Sequence, residues 1–256
     1  LPKQVELISG PGCPVCVTPV SFIDEAIYLA LEKQVTICTF GDLVRVPGSQ
    51  MSLAGAREKG AKIRIVYSPA DAEKYALEHP EEQVVFLSVG FETTTPAGCL
   101  SVKQAKEDGI SNYSLLVANK TMPGAYEALK GSADVFLYPG HVNAITGTHL
   151  CETLAEEGIS GVVAGFTAKE LMTALAVALA KFQEGKPFFV NCYPRVVTQD
   201  GSREAQQLVD EMMEACDSEW RGLGVIPASG MRLRQEWQEF DARLKYQMPK
   251  IEGKPN

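Results

Sequence analysis

The stretch VVFLSVGFETTTPAG (84–98) decides how the rest of the chain is read. Val84–Val89 is a continuous apolar run, the pattern of a strand covered on both faces rather than on one. Gly90–Pro96 then turns the chain, and Pro96 after Thr95 suits the first turn of a helix. Strand, glycine-led loop and helix form one unit of an α/β fold. The same rhythm recurs outward in both directions. Strands are expected at Val5–Ile8, Val35–Thr39, Lys62–Tyr67, Tyr113–Ala118, Val135–Tyr138 and Gly161–Ala164. A helix over Phe22–Lys33 carries Phe22, Ile23, Ala26, Ile27, Ala30 and Leu31 on one face, and Ser21 with Asp24 reads as its capping box. Pro123 after Met122 opens another helix. Repeated strand–helix units predict parallel sheets flanked by helices.

The expected organisation is therefore two Rossmann-like α/β units with a cleft between them. The first covers residues 1–67 and the second 68–165, with Tyr67-Ser68-Pro69 as the hinge. After Gly165 the strand signal fades. Residues 166–256 read as a mainly helical segment packing back on these units, with helices over Ala168–Gln183, Ser202–Asp217 and Arg232–Tyr246. The polar tail from Met248, with two prolines, reads as an exposed end.

Of the 256 residues, 45% are hydrophobic and 22% charged, which is ordinary globular composition and supports a sizeable core. A net charge of −8 argues against nucleic acid, whose partners carry a basic face. The most apolar run, Leu171–Ala180, is half of the ~20 residues that a membrane helix needs. The first residues lack the basic start of a signal peptide, so the cytoplasm is the expected location. Seven scattered cysteines do not resemble a secreted disulfide framework, and only Cys13 and Cys16 are close in sequence. The other five read as small buried hydrophobes.

Ligands in open α/β sheets bind beyond the carboxyl ends of the strands. The loops expected there are Gly10–Cys16, Gly41–Gly48, Gly90–Pro96 and Pro139–Asn143. Each carries a residue able to bind metal, move protons or exchange thiols. Cys13 and Cys16 stand first: a C-x-x-C spacing brings two sulfurs together, and a following helix favours the reactive thiolate. A redox dithiol, a metal-binding pair and two structural thiols all remain open, although a closed zinc site needs two further ligands. His141 is the best neutral-pH proton carrier among three histidines; His79 reads as a surface helix end and His149 as part of a helix. Asp42 and Arg45 are a candidate ion pair orienting the dithiol loop, against a capping Asp and a solvated Arg. Glu92 reads either as a proton carrier or as a loop charge. No nucleotide-binding glycine loop, H-E-x-x-H or G-x-S-x-G element is present.

The strings ISGPGCPVCVTP (8–19), TFGDLVRVPGSQ (39–50), SVGFETTTP (88–96), PGHVNAITG (139–147) and DSEWRGLGVIPASG (217–230) resemble, in order, motifs of the HypD family of [NiFe] hydrogenase maturation proteins. The resemblance covers nearly the whole chain. It implies an assembly scaffold rather than a turnover enzyme. HypC would be the partner with which it holds iron in transit as Fe(CN)2CO, with cyanide from HypE, loaded by HypF. Cys13 and Cys16 would be the family's C-x-x-C, cycling between dithiol and disulfide. His141, Asp42 and Glu92 would line the same cleft, and Arg45 lies in the same string as Asp42. Family members also carry an upstream Cys-Gly-(Gly/Thr)-His motif and a C-terminal [4Fe-4S] segment. Neither set of ligands occurs here, so a fragment is expected. A stand-alone thiol–disulfide oxidoreductase and a structural metal-binding interaction domain are the competing readings.

Overall fold

The computed structural model describes residues 3–254, which divide into two compact units. The larger comprises residues 13–121 together with 208 onward; the smaller comprises the residues before Cys13 together with 122–207.

The larger unit begins with helix α1 (Val20–Glu32) and strand β1 (Thr36–Thr39), followed by α2 (Leu53–Glu58) and β2 (Ile63–Ile65). Then come α3 (Pro69–Glu78), β3 (Val84–Ser88), α4 (Thr95–Glu107) and β4 (Tyr113–Val117). The four strands form one parallel sheet in the order β2-β1-β3-β4. Both β1 and β3 are buried at every position, as their continuous apolar runs predict. Successive residues of β3 feed opposite cores. Val84 and Phe86 pack with Cys99 and Val102 of α4 and Ala72 and Ala76 of α3. Val85 and Leu87 pack with Ile23, Ala26 and Leu29 of α1 and Leu53 of α2. The prolines expected to open helices do so in α4 and in α5 (Pro123–Ala128).

The smaller unit continues with β5 (Phe136–Pro139), α6 (Gly140–Thr146), α7 (His149–Glu156), β6 (Gly161–Ala164), α8 (Ala168–Phe182) and β7 (Phe189–Asn191). Its strands form a second parallel sheet, β5-β6-β7. Helix α9 (Arg203–Met212) carries the chain back to the larger unit. There β8 (Met213–Trp220) and β9 (Gly224–Leu233) make an antiparallel hairpin before the short helix α10 (Ala242–Lys245).

The α/β class with parallel sheets is as expected, and several local expectations are corrected. Val5–Ile8 forms no strand; it lies unpaired along an apolar groove of about 520 Å³ beside Phe136, Leu137, Leu179 and Phe182. A strand needs a neighbour in register, and β5 pairs only with β6. The boundary expected at residue 67 falls inside the larger unit, where Ser68 caps α3 through a box with Asp71. Residues 166–256 are not mainly helical: β7 and the β8–β9 hairpin lie there, and the helices expected over Ser202–Asp217 and Arg232–Tyr246 shrink to α9 and α10. Ser21 and Asp24 do not cap α1, whose N-cap is Pro19; the Asp24 carboxylate instead accepts from the Ser49 amide at 2.8 Å and hydroxyl at 2.5 Å. The tail packs back, the Lys254 amide donating to Ser49 Oγ at 2.7 Å. No helix among the described residues is long and apolar enough to cross a membrane.

Candidate functional site

In a parallel sheet all carboxyl ends lie on one edge, so the loops after β1, β3 and β4 share a rim of the larger unit. After β1 comes the short 3-10 turn Gly41–Leu43 with Asp42 and then Arg45, both exposed. Their expected ion pair is not formed among the described residues. After β3 comes the Gly90–Pro96 loop with Glu92 half-buried. A Cβ on Gly90 would overlap the Thr94 side chain, so this tight turn requires glycine. Thr94 and Thr95 hydroxyls donate to Phe91 O at 3.2 and 2.9 Å. After β4, the Asn119 side chain accepts from Ser88 Oγ at 2.6 Å and donates to Thr95 Oγ1 at 3.1 Å, tying two rim loops together.

The dithiol loop reaches the same rim from the helix side. Helix α1 returns the chain to the start of β1 and packs on it, so its N-terminus points toward the carboxyl ends. Cys13 and Cys16 sit just before it, both exposed, in a turn closed by Val17 N–H to Cys13 O at 3.2 Å. The Cys16 amide donates to Cys13 Sγ at 3.3 Å. Hydrogen bonding with Cys13, above all, pushes the Cys16 thiol up, and the Arg221 guanidinium pulls it back. Three residues separate Cys16 from Val20, the first of α1, so the helix field expected to act on the pair is weak, falling off within about one turn.

Arg221 is the residue that spacing alone did not single out. It lies in the turn of the β8–β9 hairpin, and its amide donates to Val17 O at 2.8 Å. Its neighbour Trp220 is fully buried, stacked on Phe91 with ring centroids 5.8 Å apart, and donates Nε1–H to Ser229 Oγ at 2.8 Å. Lys120, only 1% exposed, donates to Ser218 Oγ at 2.6 Å and Glu219 O at 2.5 Å, its ammonium 5.3 Å from the Trp220 ring centroid. The hairpin thus joins the dithiol loop to the Gly90 loop. The string 217–230 carried this signal, but only the fold shows what it touches.

His141 belongs to the smaller unit, so the four expected loops do not share one sheet edge. It is exposed in the first turn of α6, directly after β5, with its ring stacked on Phe166 at 3.9 Å between centroids. Phe166 follows β6, so the pair occupies the carboxyl rim of the second sheet. There Glu170 accepts from Thr167 N–H at 3.0 Å and from Arg195 at 2.6 and 2.9 Å, which holds its carboxyl down at about 2. His79 ends α3, as expected, and His149 faces Glu152 and Asp200 at 3.7 and 3.5 Å.

The remaining thiols are poor reactants. Burial raises Cys38 and Cys99 to about 12 and Cys151 to about 11, and also lifts Cys192 and Cys216. Among the described residues the one group of three candidate ligands is His79, Glu81 and Glu82, away from the cysteines in sequence and at the α3–β3 connection. Cys13 and Cys16 therefore offer two thiolates without a third ligand. That set does not fit a closed zinc site or a four-thiolate iron–sulfur cluster. It fits a dithiol, or half of a coordination shell completed by another molecule.

The family model described as "HypD: Hydrogenase formation hypA family" matches residues 1–256. A relative named hydrogenase maturation factor HypD from Cupriavidus necator is 41% identical over 97% of this chain and 69% of its own length. Namesakes from Rhodobacter capsulatus and Escherichia coli K12 are 42% and 41% identical over 94% and 96% of the chain. The chain spans 66% and 68% of those two relatives, about two thirds of their length. With the family model matched from end to end, the chain belongs to the HypD family of hydrogenase maturation factors.

Proposed function

We propose that the chain is an assembly scaffold of hydrogenase maturation whose Cys13–Cys16 dithiol is its redox-active element. The observation that carries this reading is the exposed turn in which the Cys16 amide meets Cys13 Sγ at 3.3 Å, while every other thiol is buried or half-buried. In the working cycle two S–H bonds break and one S–S bond forms. Two electrons pass to the assembling iron group and two protons to water. Cys16 keeps its proton longer because of its hydrogen bond with Cys13.

Iron is cargo in this scheme, becoming Fe(CN)2CO on a surface shared with HypC, in the cytoplasm, with cyanide delivered from HypE after loading by HypF. A dithiol that is spent as a reductant cannot also hold the iron, which is the chemical reason for a partner. Asp42, Arg45 and Glu92 on the dithiol rim would position the group or relay protons, and His141 is kept as a candidate proton carrier of the smaller unit. An iron–sulfur cluster has no place among the residues described here.

The test is a redox titration of the chain followed by alkylation and mass spectrometry, paired with hydrogenase maturation in cells. Wild type should show one reversible two-electron transition between Cys13 and Cys16. Cys13→Ser and Cys16→Ser should each remove it and abolish maturation in the full-length parent. Normal maturation by either variant would overturn the dithiol role. Rapid general reduction of insulin disulfides would instead favour a stand-alone oxidoreductase.

A further inference from the structure

Lys120 is an ammonium in a place that does not favour one. It is 1% exposed, and the Glu219 carboxylate that favours its charge does not offset the burial. Burying a charge is unfavourable, and a flexible apolar side chain such as methionine would fill the same volume. What the lysine adds is directed contact. Its two hydrogen bonds reach consecutive residues, Ser218 Oγ at 2.6 Å and Glu219 O at 2.5 Å, while its charge faces the ring of the third, Trp220. The next residue is Arg221, whose amide holds Val17 of the dithiol turn at 2.8 Å and whose charge acts on Cys16.

The far side of the clamp is equally fixed. The Lys120 amide donates to Gly90 O at 2.9 Å, and Phe91, next along, stacks on Trp220. Lys120 thus bonds the strand end that carries it, the Gly90 loop and the hairpin at once.

We infer that Lys120 is a positioning residue for the dithiol: it pins the end of β8 so that Arg221 stands against the Cys13–Cys16 turn and sets its redox poise. This rests on the dithiol reading above. A fixed positive charge beside the pair favours thiolate over the neutral disulfide, which raises the reduction potential. Without these two side-chain bonds the end of β8 loosens, Arg221 loses its fixed place beside the pair, and the disulfide gains.

The experiment is a double-mutant cycle in the intact chain with Lys120→Met and Arg221→Gln. Each single variant should move the dithiol–disulfide equilibrium up to about tenfold toward disulfide, about 30 mV lower in potential. The double variant should move it no further than either alone, and Arg221→Lys should restore most of the wild-type value. Should Lys120→Met fail to fold, Ser218→Ala removes one clamp contact and carries the same test. A Lys120→Met potential equal to wild type, or shifts of the two variants that simply add, would overturn the inference. The pH profile of Cys16 alkylation gives a separate readout that needs no disulfide. If the pair never oxidises, the redox reading fails, and an unmoved profile in Lys120→Met is what would sink the positioning role.

Discussion

Lys120 also makes a thermodynamic statement. Burial, the largest cause, lowers it from 10.5 to about 8 in the folded chain. Between these two values the unfolded state binds more protons, so stability rises with pH across that window. Below about pH 8 the full cost is present, about 3 kcal/mol for a shift of this size. Urea unfolding at pH 7.5 and 10 should therefore show wild type gaining stability relative to Lys120→Met, and equal changes in both would refute it. Glu170 runs the other way. Its carboxyl is held at about 2 by the Thr167 amide first and by Arg195 next, so its contribution is present above about 4.5 and lost toward pH 2. At this scale the sequence was informative where spacing carries chemistry. Two cysteines three apart declare themselves. A lone lysine after a strand does not, because its partners lie about a hundred residues along the chain.

Elements were legible where local pattern and burial agree. The apolar runs of β1, β3, β4 and β6 read correctly because both faces of each strand are covered. The β8–β9 hairpin did not. Met213–Trp220 carries Glu214, Ala215 and Glu219, which favour helix, yet it pairs along its length with β9. Pro227 argues against a strand in β9, and the fold accommodates it with a register shift between Cys216 and Ser218, left-handed backbone at Ala228 (φ 51°) and an Asp217 Oδ1 that accepts the Ala228 amide at 3.0 Å. Val5–Ile8 is the opposite case, with strand composition and no partner. In the second sheet, Gly161 of β6 lies against the Tyr138 ring of β5, where a Cβ would overlap ring carbons. Gly161→Ala should cost about 1–3 kcal/mol by overpacking. Thermal unfolding would measure it, and an unchanged midpoint would show that the ring can move aside.

Across the whole molecule, thiol chemistry is partitioned by burial. Cys13 and Cys16 should be alkylated readily in the native chain. Cys38 and Cys99, raised to about 12, should lag by at least roughly a thousandfold until the cores open. Labelling with and without denaturant, read by mass spectrometry, checks this; native labelling of Cys99 at the rate of Cys13 would contradict the packing of α4 on β3. The sequence by itself determined the α/β class, the parallel strands and the C-x-x-C loop, because hydrophobic period and residue spacing are local quantities. The tertiary structure alone decided that residues 13–121 and the hairpin after α9 form one unit, that His141 belongs to the other, and that the hairpin meets both Lys120 and Val17. Those facts depend on which distant segments share a core, and no local window of the chain encodes that.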